Sequence, residues 1–401
     1  MESSIVTNQQ SIRSKSGSGS RQQEKALLVT VSTGREDRLL TRYRSNELER
    51  LADTAGARVV HNIEQHLKSF NPATLVGSGK IDEIKQLLAE HPIDLVIFNH
   101  DLTPVQQRNL EKKLNSRIID RTELILDIFA MHAKTRDGKI QVELAQLRYL
   151  RPRLAGRGVE LSRLGGGIGT RGPGETQLEI DRRRIDQRIT RLRKELQKSQ
   201  ETRRQQRKGR QRQNRYTVVL VGYTNAGKSS LLNRLTDADV TAEDQLFSTL
   251  DTTTRRLHLP DDKRVLLSDT VGFISNLPEP LLAAFRATLE VVQEADMLMH
   301  VVDASSPFLM EHVQAVQEVL TQLECGNKPR LTVFNKMDRV DDPQTIGELQ
   351  RSLSETIACS ARLDRDFTPL KTTLSRLLDE ARAQQQNPPA EPDGYDIPGM
   401  T

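Results

Sequence analysis

Between residues 26 and 120, short apolar runs alternate with longer stretches in which Leu and Ile recur every three or four positions. ALLVTVS (26–32), ARVVHN (57–62), DLVIFN (94–99) and RIID (117–120) predict buried strands, and 43–55, 80–90 and 104–115 predict helices. Such alternation implies a small, mostly parallel α/β sheet. From about 121 to 154 the pattern is helical, with Ile140, Leu144, Leu147 and Leu154 on one face. A second stripe follows at Leu178, Ile185, Ile189, Leu192 and Leu196. RLGGGIGTRGPGET (163–176), with six glycines and a proline, separates the two stripes. Two antiparallel helices joined by a glycine-rich loop are therefore expected. Beyond Leu196 no apolar residue occurs until Tyr216, so the end of the second helix cannot pack on a core. From YTVVLVG (216–222) onward, strands and helices alternate again.

The pattern divides the 401 residues into five parts. Residues 1–24 and 383–401, rich in Ser, Gly and Gln or in Pro and Gln, read as disordered tails. An N-terminal α/β domain spans 25–135, a helical hairpin with a glycine-rich loop 136–215, and a second, doubly wound α/β domain 216–382. The fold class is α/β. No stretch approaches 18 uninterrupted apolar residues, so no membrane span is expected. The N-terminus lacks the apolar core of a signal peptide. Cys325 and Cys359 have neither metal-ligand spacing nor numbers for a disulfide framework. A cytoplasmic protein is the expectation, and nothing demands more than a monomer.

Charge is unevenly distributed. Residues 151–215 carry 20 Lys and Arg against 7 Asp and Glu, a net +13, so the rest of this +5 chain nets −8. A basic middle between acidic flanks points to a polyanion, and nucleic acid fits better than a merely solvated helix.

The strongest chemical signal is Gly222-Tyr223-Thr224-Asn225-Ala226-Gly227-Lys228-Ser229, followed by Ser230 and a helical run. It matches GxxxxGK[ST] between a strand and a helix. Glycines let backbone N–H groups converge on phosphate oxygens, and the helix N-terminus adds a favourable dipole. Lys228 is placed to neutralise the β- and γ-phosphates, and the Ser229 hydroxyl to ligate Mg²⁺. Asp269-Thr270-Val271-Gly272 follows an apolar strand. It offers a carboxylate on the Mg²⁺ side and a Gly272 N–H that can sense the γ-phosphate. Asn335-Lys336-Met337-Asp338 supplies a carboxylate that accepts N1–H and the 2-amino group of guanine. Adenine would leave that carboxylate unpaired. Cys359-Ser360-Ala361 would put a backbone N–H on guanine O6. The order of these segments, each after a strand, implies a GTP-binding and GTP-hydrolysing protein with Lys228, Thr249 and Gly272 at the reacting end.

The switch segment Phe247-Ser248-Thr249-Leu250-Asp251 precedes three more threonines, Thr252, Thr253 and Thr254. Thr249, 21 residues after Lys228, is the favoured second Mg²⁺ ligand, although the later cluster could supply it. Ras-like proteins place Gln directly after DxxG to orient the attacking water. Here Phe273 stands there, which implies slow intrinsic hydrolysis quickened by a partner. The Asn225 amide could help hold K⁺ beside the phosphates.

Beyond these motifs the chain resembles the HflX family of ribosome-associated GTPases. GYTNAGKSSLLN, FSTLDTTTRR, DTVGFISNLP and NKMD carry the likeness, and so do NPATLVGSGK (71–80), DLTPVQQRNLE (101–111), DRTELILDIFA (120–130), QVELAQLRYLRPRL (141–154) and GGGIGTRGPGETQLEIDRR (165–183). The resemblance implies docking on the large ribosomal subunit and its rRNA, action on stalled or idle ribosomes under stress, and subunit dissociation. It also implies that the glycine-rich loop reaches towards the peptidyl transferase region. Arg157, Arg163 and Arg171 could pair there with phosphates. With no Trp and only 9 Phe and 5 Tyr, recognition by RNA shape fits better than base stacking.

Two rival readings share the nucleotide motifs. A tRNA-modification or ribosome-assembly GTPase would be expected to carry a modification-cofactor site or a separate RNA-binding domain after the GTPase core, and neither is visible after residue 382. A non-catalytic scaffold would use GTP only structurally, which intact Lys228, Ser229 and Asp269 oppose. Gly77-Ser78-Gly79-Lys80 imitates a phosphate loop, but Ile81 stands where the Mg²⁺-binding hydroxyl is needed. A tight turn into a helix is the simpler expectation.

Overall fold

In the computed structural model the described residues are 23–34, 37–154, 177–211, 216–236, 246–247, 249–250, 252–275, 281, 289–353 and 355–386. Most of both expected tails, the glycine-rich tip with Arg157, Arg163 and Arg171, and Ser248 and Asp251 lie outside them. The chain forms two units. The first takes in residues up to Arg204 together with Asp244–Leu250 and Leu277–Ala287, and the second takes in the remainder.

The first unit is built on a four-stranded parallel sheet in the order β2-β1-β3-β4. The strands are β1 (Lys25–Thr33), β2 (Arg58–Leu67), β3 (Leu95–Phe98) and β4 (Arg117–Ile119). β1 and β3 are paired on both edges and covered on both faces. Between Ala26 and Val31 β1 is correspondingly apolar but for Thr30, and β3 is wholly apolar. β2 runs five residues past the expected 57–62, pairing along all of β1. It is an edge strand whose side chains alternate towards water, so IEQHL carries little apolar signal.

The connecting helices are α1 (Arg38–Thr54), α2 (Ser78–Glu90), α3 (Pro104–Leu114) and α4 (Arg121–His132). Their ends follow local chemistry. Thr103 and Gln106 form a reciprocal capping box around Pro104, and Asn115 closes α3 in the left-handed region. Asp120 accepts from the Glu123 N–H to cap α4. Where a tight turn into a helix is expected, Gly77 is the extended N-cap of α2 and Ser78 to Lys80 already form its first turn.

The hairpin consists of α5 (Arg136–Arg153) and α6 (Gln177–Gln211). Ile140 and Leu144 of α5 pack on Ile185, Ile189, Leu192 and Leu196 of α6. Ion pairs Arg151–Asp186 (2.7 Å), Arg188–Glu143 (2.7 Å) and Arg136–Glu195 (3.5 Å) run antiparallel along the seam. Among the described side chains Leu196 is the last apolar residue of α6 in this core, and the helix continues to Gln211.

The second unit holds a six-stranded mixed sheet, β10-β9-β8-β5-β7-β6. β5 (Tyr216–Val221), β7 (Arg264–Asp269), β8 (Met297–Asp303), β9 (Arg330–Asn335) and β10 (Thr356–Ala358) are parallel; β6 (Thr253–His258) pairs antiparallel with β7. Its helices include α7 (Lys228–Thr236), α8 (Leu309–Gln322), α9 (Pro343–Ser352) and α10 (Thr368–Gln386). The expected C-terminal boundary at 382 falls inside α10, which ends four residues later. Its last residues are Ala and Gln, which sustain a helix, and the first prolines come only at 388 and 389. β5 has β7 on one side and β8 on the other. In an open sheet the crevice for a ligand opens at the carboxyl end of such a strand, and the phosphate loop starts there. Among the described residues no helix is long and apolar enough to cross a membrane.

Candidate nucleotide site

The loop after β5 turns on two glycines that no other residue could replace. A Cβ on Gly222, at φ +155°, would stand 2.2 Å from the Val301 carbonyl oxygen of β8. One on Gly227, at φ +92°, would meet the Asn335 amide nitrogen. Between them Asn225 also adopts positive φ (+60°). Lys228 opens α7, and its Nζ donates to the carbonyls of Gly222 (3.1 Å) and Tyr223 (2.9 Å). Burial pushes its ammonium down to about 8, with Asp269 opposing and Lys336 adding to the shift.

Asp269 ends β7 fully buried and accepts from the Ser229 hydroxyl at 2.6 Å. A hydroxyl and a buried carboxylate facing each other are hard oxygen donors of the kind Mg²⁺ takes. Thr270 is turned away from that pair, its hydroxyl donating to the Leu220 carbonyl at 2.7 Å.

The segment after DxxG is zipped to the phosphate loop. Phe273 N–H donates to Gly222 O (3.0 Å), and Thr224 N–H donates to Phe273 O (2.7 Å). The Phe273 side chain is buried, so it packs rather than orients water. The Tyr223 hydroxyl accepts from the Ser275 N–H at 3.0 Å and contacts the Ser275 hydroxyl at 3.0 Å. Its ring stacks on His312 of α8 at 4.0 Å and 13°. His312 lies in no motif and Ser275 of DTVGFISNLP has no role read from sequence; only the tertiary structure brings them to the loop.

At the end where guanine recognition is expected, Asn335 is the hub. Its Nδ2 donates to Ala226 O (2.9 Å) and its Oδ1 accepts from Ala361 N–H (2.9 Å). The phosphate loop, NKMD and CSA are thereby held in one frame. Asp338 Oδ1 accepts from the Ser360 hydroxyl at 2.6 Å, which sets the carboxylate's orientation. Met337 N–H donates to Cys359 O (3.3 Å). Lys336, at φ +64°, is held by an ion pair to Asp303 (2.7 Å), and Asp364 caps Ser360 N–H (2.7 Å). Neither acid was singled out from sequence, although Asp303 ends an apolar strand, the position where such sites collect acids. Burial raises the Cys359 thiol to about 12, so it packs and is no nucleophile.

Ser230 lies in the first turn of α7, and Val271 is buried. Phe247, Thr249 and Leu250 belong to the segment that groups with the first unit. There the Phe247 ring meets Phe129 of α4 edge-on at 4.7 Å. Asp269, Ser229, Lys228, Gly272 and the guanine motif all belong to the second unit.

Three family profiles match the chain. "GTP-binding GTPase N-terminal" covers residues 42–130, "GTP-binding GTPase Middle Region" 132–210, and "50S ribosome-binding GTPase" 217–336. Among similar proteins, GTPase HflX of Alkalihalophilus pseudofirmus is 48% identical over 355 residues, covering 88% of this chain and 83% of that relative. GTPase HflX of Escherichia coli (strain K12) is 47% identical over 296 residues, covering 74% and 70%. Of solved structures, the SsGBP and GDP complex is similar at 25% identity and a TM-score of 0.51, covering 89% of this chain and 99% of that one.

Proposed function

This chain belongs to the HflX family of GTPases, and from that premise we propose that its GTP hydrolysis is gated by the large ribosomal subunit, on which it dissociates or rescues stalled or idle ribosomes under stress. It is a P-loop GTP hydrolase. The observation that carries the reading is the Asn335 hub, which holds the phosphate loop and both guanine-reading segments in one frame. The match to a 50S ribosome-binding profile and the net +13 between 151 and 215 support the partner.

In this reading the nucleotide's phosphates lie in the loop from Gly222 to Ser229, with Lys228 neutralising the β- and γ-phosphates. Asp338 accepts from guanine N1–H and the 2-amino group, and Ala361 N–H faces O6. Water oxygen bonds to Pγ while the bond from Pγ to the β–γ bridging oxygen breaks. The electron pair leaves on GDP, and GTP⁴⁻ and H₂O become GDP³⁻, HPO₄²⁻ and H⁺. Gly272 N–H orients the γ-phosphate. Ser229, with Asp269 behind it, would hold Mg²⁺, which would supply charge neutralisation for the phosphates when bound. Asn225 would support K⁺ beside them. The buried Phe273 cannot orient water, so the basal rate is slow until the ribosome acts.

The test is GTP turnover by the purified chain, alone and with purified large subunits, in KCl and in NaCl, with ATP as control. The expected outcome is a low basal rate, a many-fold rise with subunits for GTP only, and faster turnover in KCl. Unchanged turnover with subunits removes the ribosomal gate, and equal rates in both salts remove K⁺.

A further inference from the structure

Thr224 is the third residue of the phosphate loop, and its side chain has a property the motif does not require. It is 5% exposed, and its Oγ1 is buried without a hydrogen-bond partner among the described residues. The neighbouring buried hydroxyl of Thr270 has found a carbonyl, so burial in this unit does not by itself strand a hydroxyl. A buried donor left unpaired destabilises the fold, whereas Val of the same shape would carry no such cost. Such a group calls for an explanation, and a ligand that completes it is one.

The surroundings say which ligand. The point where a Cβ on Gly272 would stand lies 2.8 Å from Thr224 Cα, 2.9 Å from Thr224 Cγ2 and 3.2 Å from Lys228 Nζ. The Thr224 side chain, through its methyl group, and the Lys228 ammonium thus both border the same point beside the glycine of DxxG. The Thr224 backbone is pinned by the N–H donated to Phe273 O at 2.7 Å. That contact also fixes Phe273, the residue standing where Gln would orient water, in a packed position.

We propose that the Thr224 hydroxyl hydrogen-bonds the transferring γ-phosphoryl group and orients it from the phosphate-loop side, so that it supplies part of what the side chain after DxxG does not. This rests on the GTP hydrolase reading and concerns the basal reaction, independent of the ribosome. Thr224 neither gains nor loses a proton over the step; its hydroxyl donates to an oxygen on Pγ while the Pγ–O bond to GDP breaks. The hydroxyl is a direct contact to the reacting group, absent for GDP.

Thr224→Val removes the hydroxyl and keeps the shape; Thr224→Ser keeps the hydroxyl. The experiment is single-turnover GTP hydrolysis with enzyme in excess, without ribosomes, beside the GDP dissociation constant by fluorescent-nucleotide titration. Thr224→Val is expected to lower the rate constant by about 100-fold, the order found when one transition-state donor is deleted. Its GDP affinity stays within about twofold of the parent, and Thr224→Ser retains most of the rate. A Val variant that hydrolyses GTP at the parent rate overturns the proposal. So does a Val variant that loses GDP affinity along with the rate, because the hydroxyl is then part of the loop's own structure. A ribosomal stimulation assay on the parent chain judges the gate separately, so either idea can fail alone.

Discussion

At the scale of single residues, the site works by exclusion as much as by contact. Gly222 and Gly227 are glycine because β8's carbonyl and the Asn335 amide occupy the space a Cβ would need. Gly272 is constrained differently: a Cβ there would press on the Thr224 backbone at 2.8 Å and on the Lys228 ammonium at 3.2 Å. Backbone cannot swing aside as a flexible side chain can. Gly272→Ala is therefore expected to separate DxxG from the phosphate loop and to displace the N–H proposed to sense the γ-phosphate. Misplacement by about 1 Å costs on the order of 100-fold in rate. GDP, which lacks that phosphate, should bind Gly272→Ala nearly as well as the parent. Stopped-flow nucleotide binding beside turnover checks this; equal rates for Ala and Gly would show that the loop yields without cost. The motif made Gly222, Gly227 and Gly272 legible, but Asp303 and Asp364 were not, since each reaches its partner only once the strands are side by side.

At the scale of elements, the joint between hairpin and N-terminal sheet is a buried polar network. Arg153, at the end of α5, donates to Asp120 (3.0 Å), to Gln107 (2.9 Å) and to the Leu102 carbonyl (2.7 Å), and lies 3.4 Å over the Tyr149 ring. Tyr149 in turn donates to Glu123 at 3.3 Å. Burial raises Glu123 to about 7, with Asp127 and Asp120 adding to the shift and Arg117 and Arg153 opposing it. Burial likewise raises Asp127 to about 6, against Arg117. A carboxyl whose folded pKa is raised stabilises the fold below its unfolded value and loses that contribution as pH rises through the folded one. The first unit should therefore be more stable at pH 5 than at pH 8, losing on the order of 2 kcal/mol as Glu123 ionises. Thermal melts followed by circular dichroism across that range test it, and Glu123→Gln should flatten the dependence. A steeper slope in that variant would assign the effect elsewhere. The hairpin was readable from its stripes, because Leu and Ile at helical spacing state which face is buried. The network at its root was not, since it joins residues from 102 to 153 with no period.

At the scale of the whole molecule, the charge distribution decides how the chain meets its proposed partner. Cations of α6 such as Arg188 are matched within the hairpin, whereas Arg182, Arg193 and Lys194 face water. α6 then runs past its last core residue, Leu196, through a Lys- and Arg-rich stretch. Binding that neutralises several phosphates releases counterions, so its logarithm falls linearly with the logarithm of salt. Affinity for large subunits should drop at least about tenfold between 50 and 200 mM salt, and replacing Arg203, Arg204, Arg207 and Lys208 with Gln should reduce the slope. Co-sedimentation over a salt series measures both. A slope unmoved by the four substitutions would take the arm out of the interface.

What the sequence determined by itself was whatever chemistry is contiguous in the chain. The phosphate loop, NKMD, the strand–helix alternation and the two apolar stripes each lie within one element or one turn, where spacing along the chain is spacing in space. The tertiary structure alone decided the rest: that Asn335 ties three distant segments together, that Phe273 is packed and bonded to the loop, and that Thr224 stands against Gly272 with its hydroxyl unpaired. These are contacts between residues tens to more than a hundred positions apart. Packing of strands into one sheet creates them, and no local pattern encodes them.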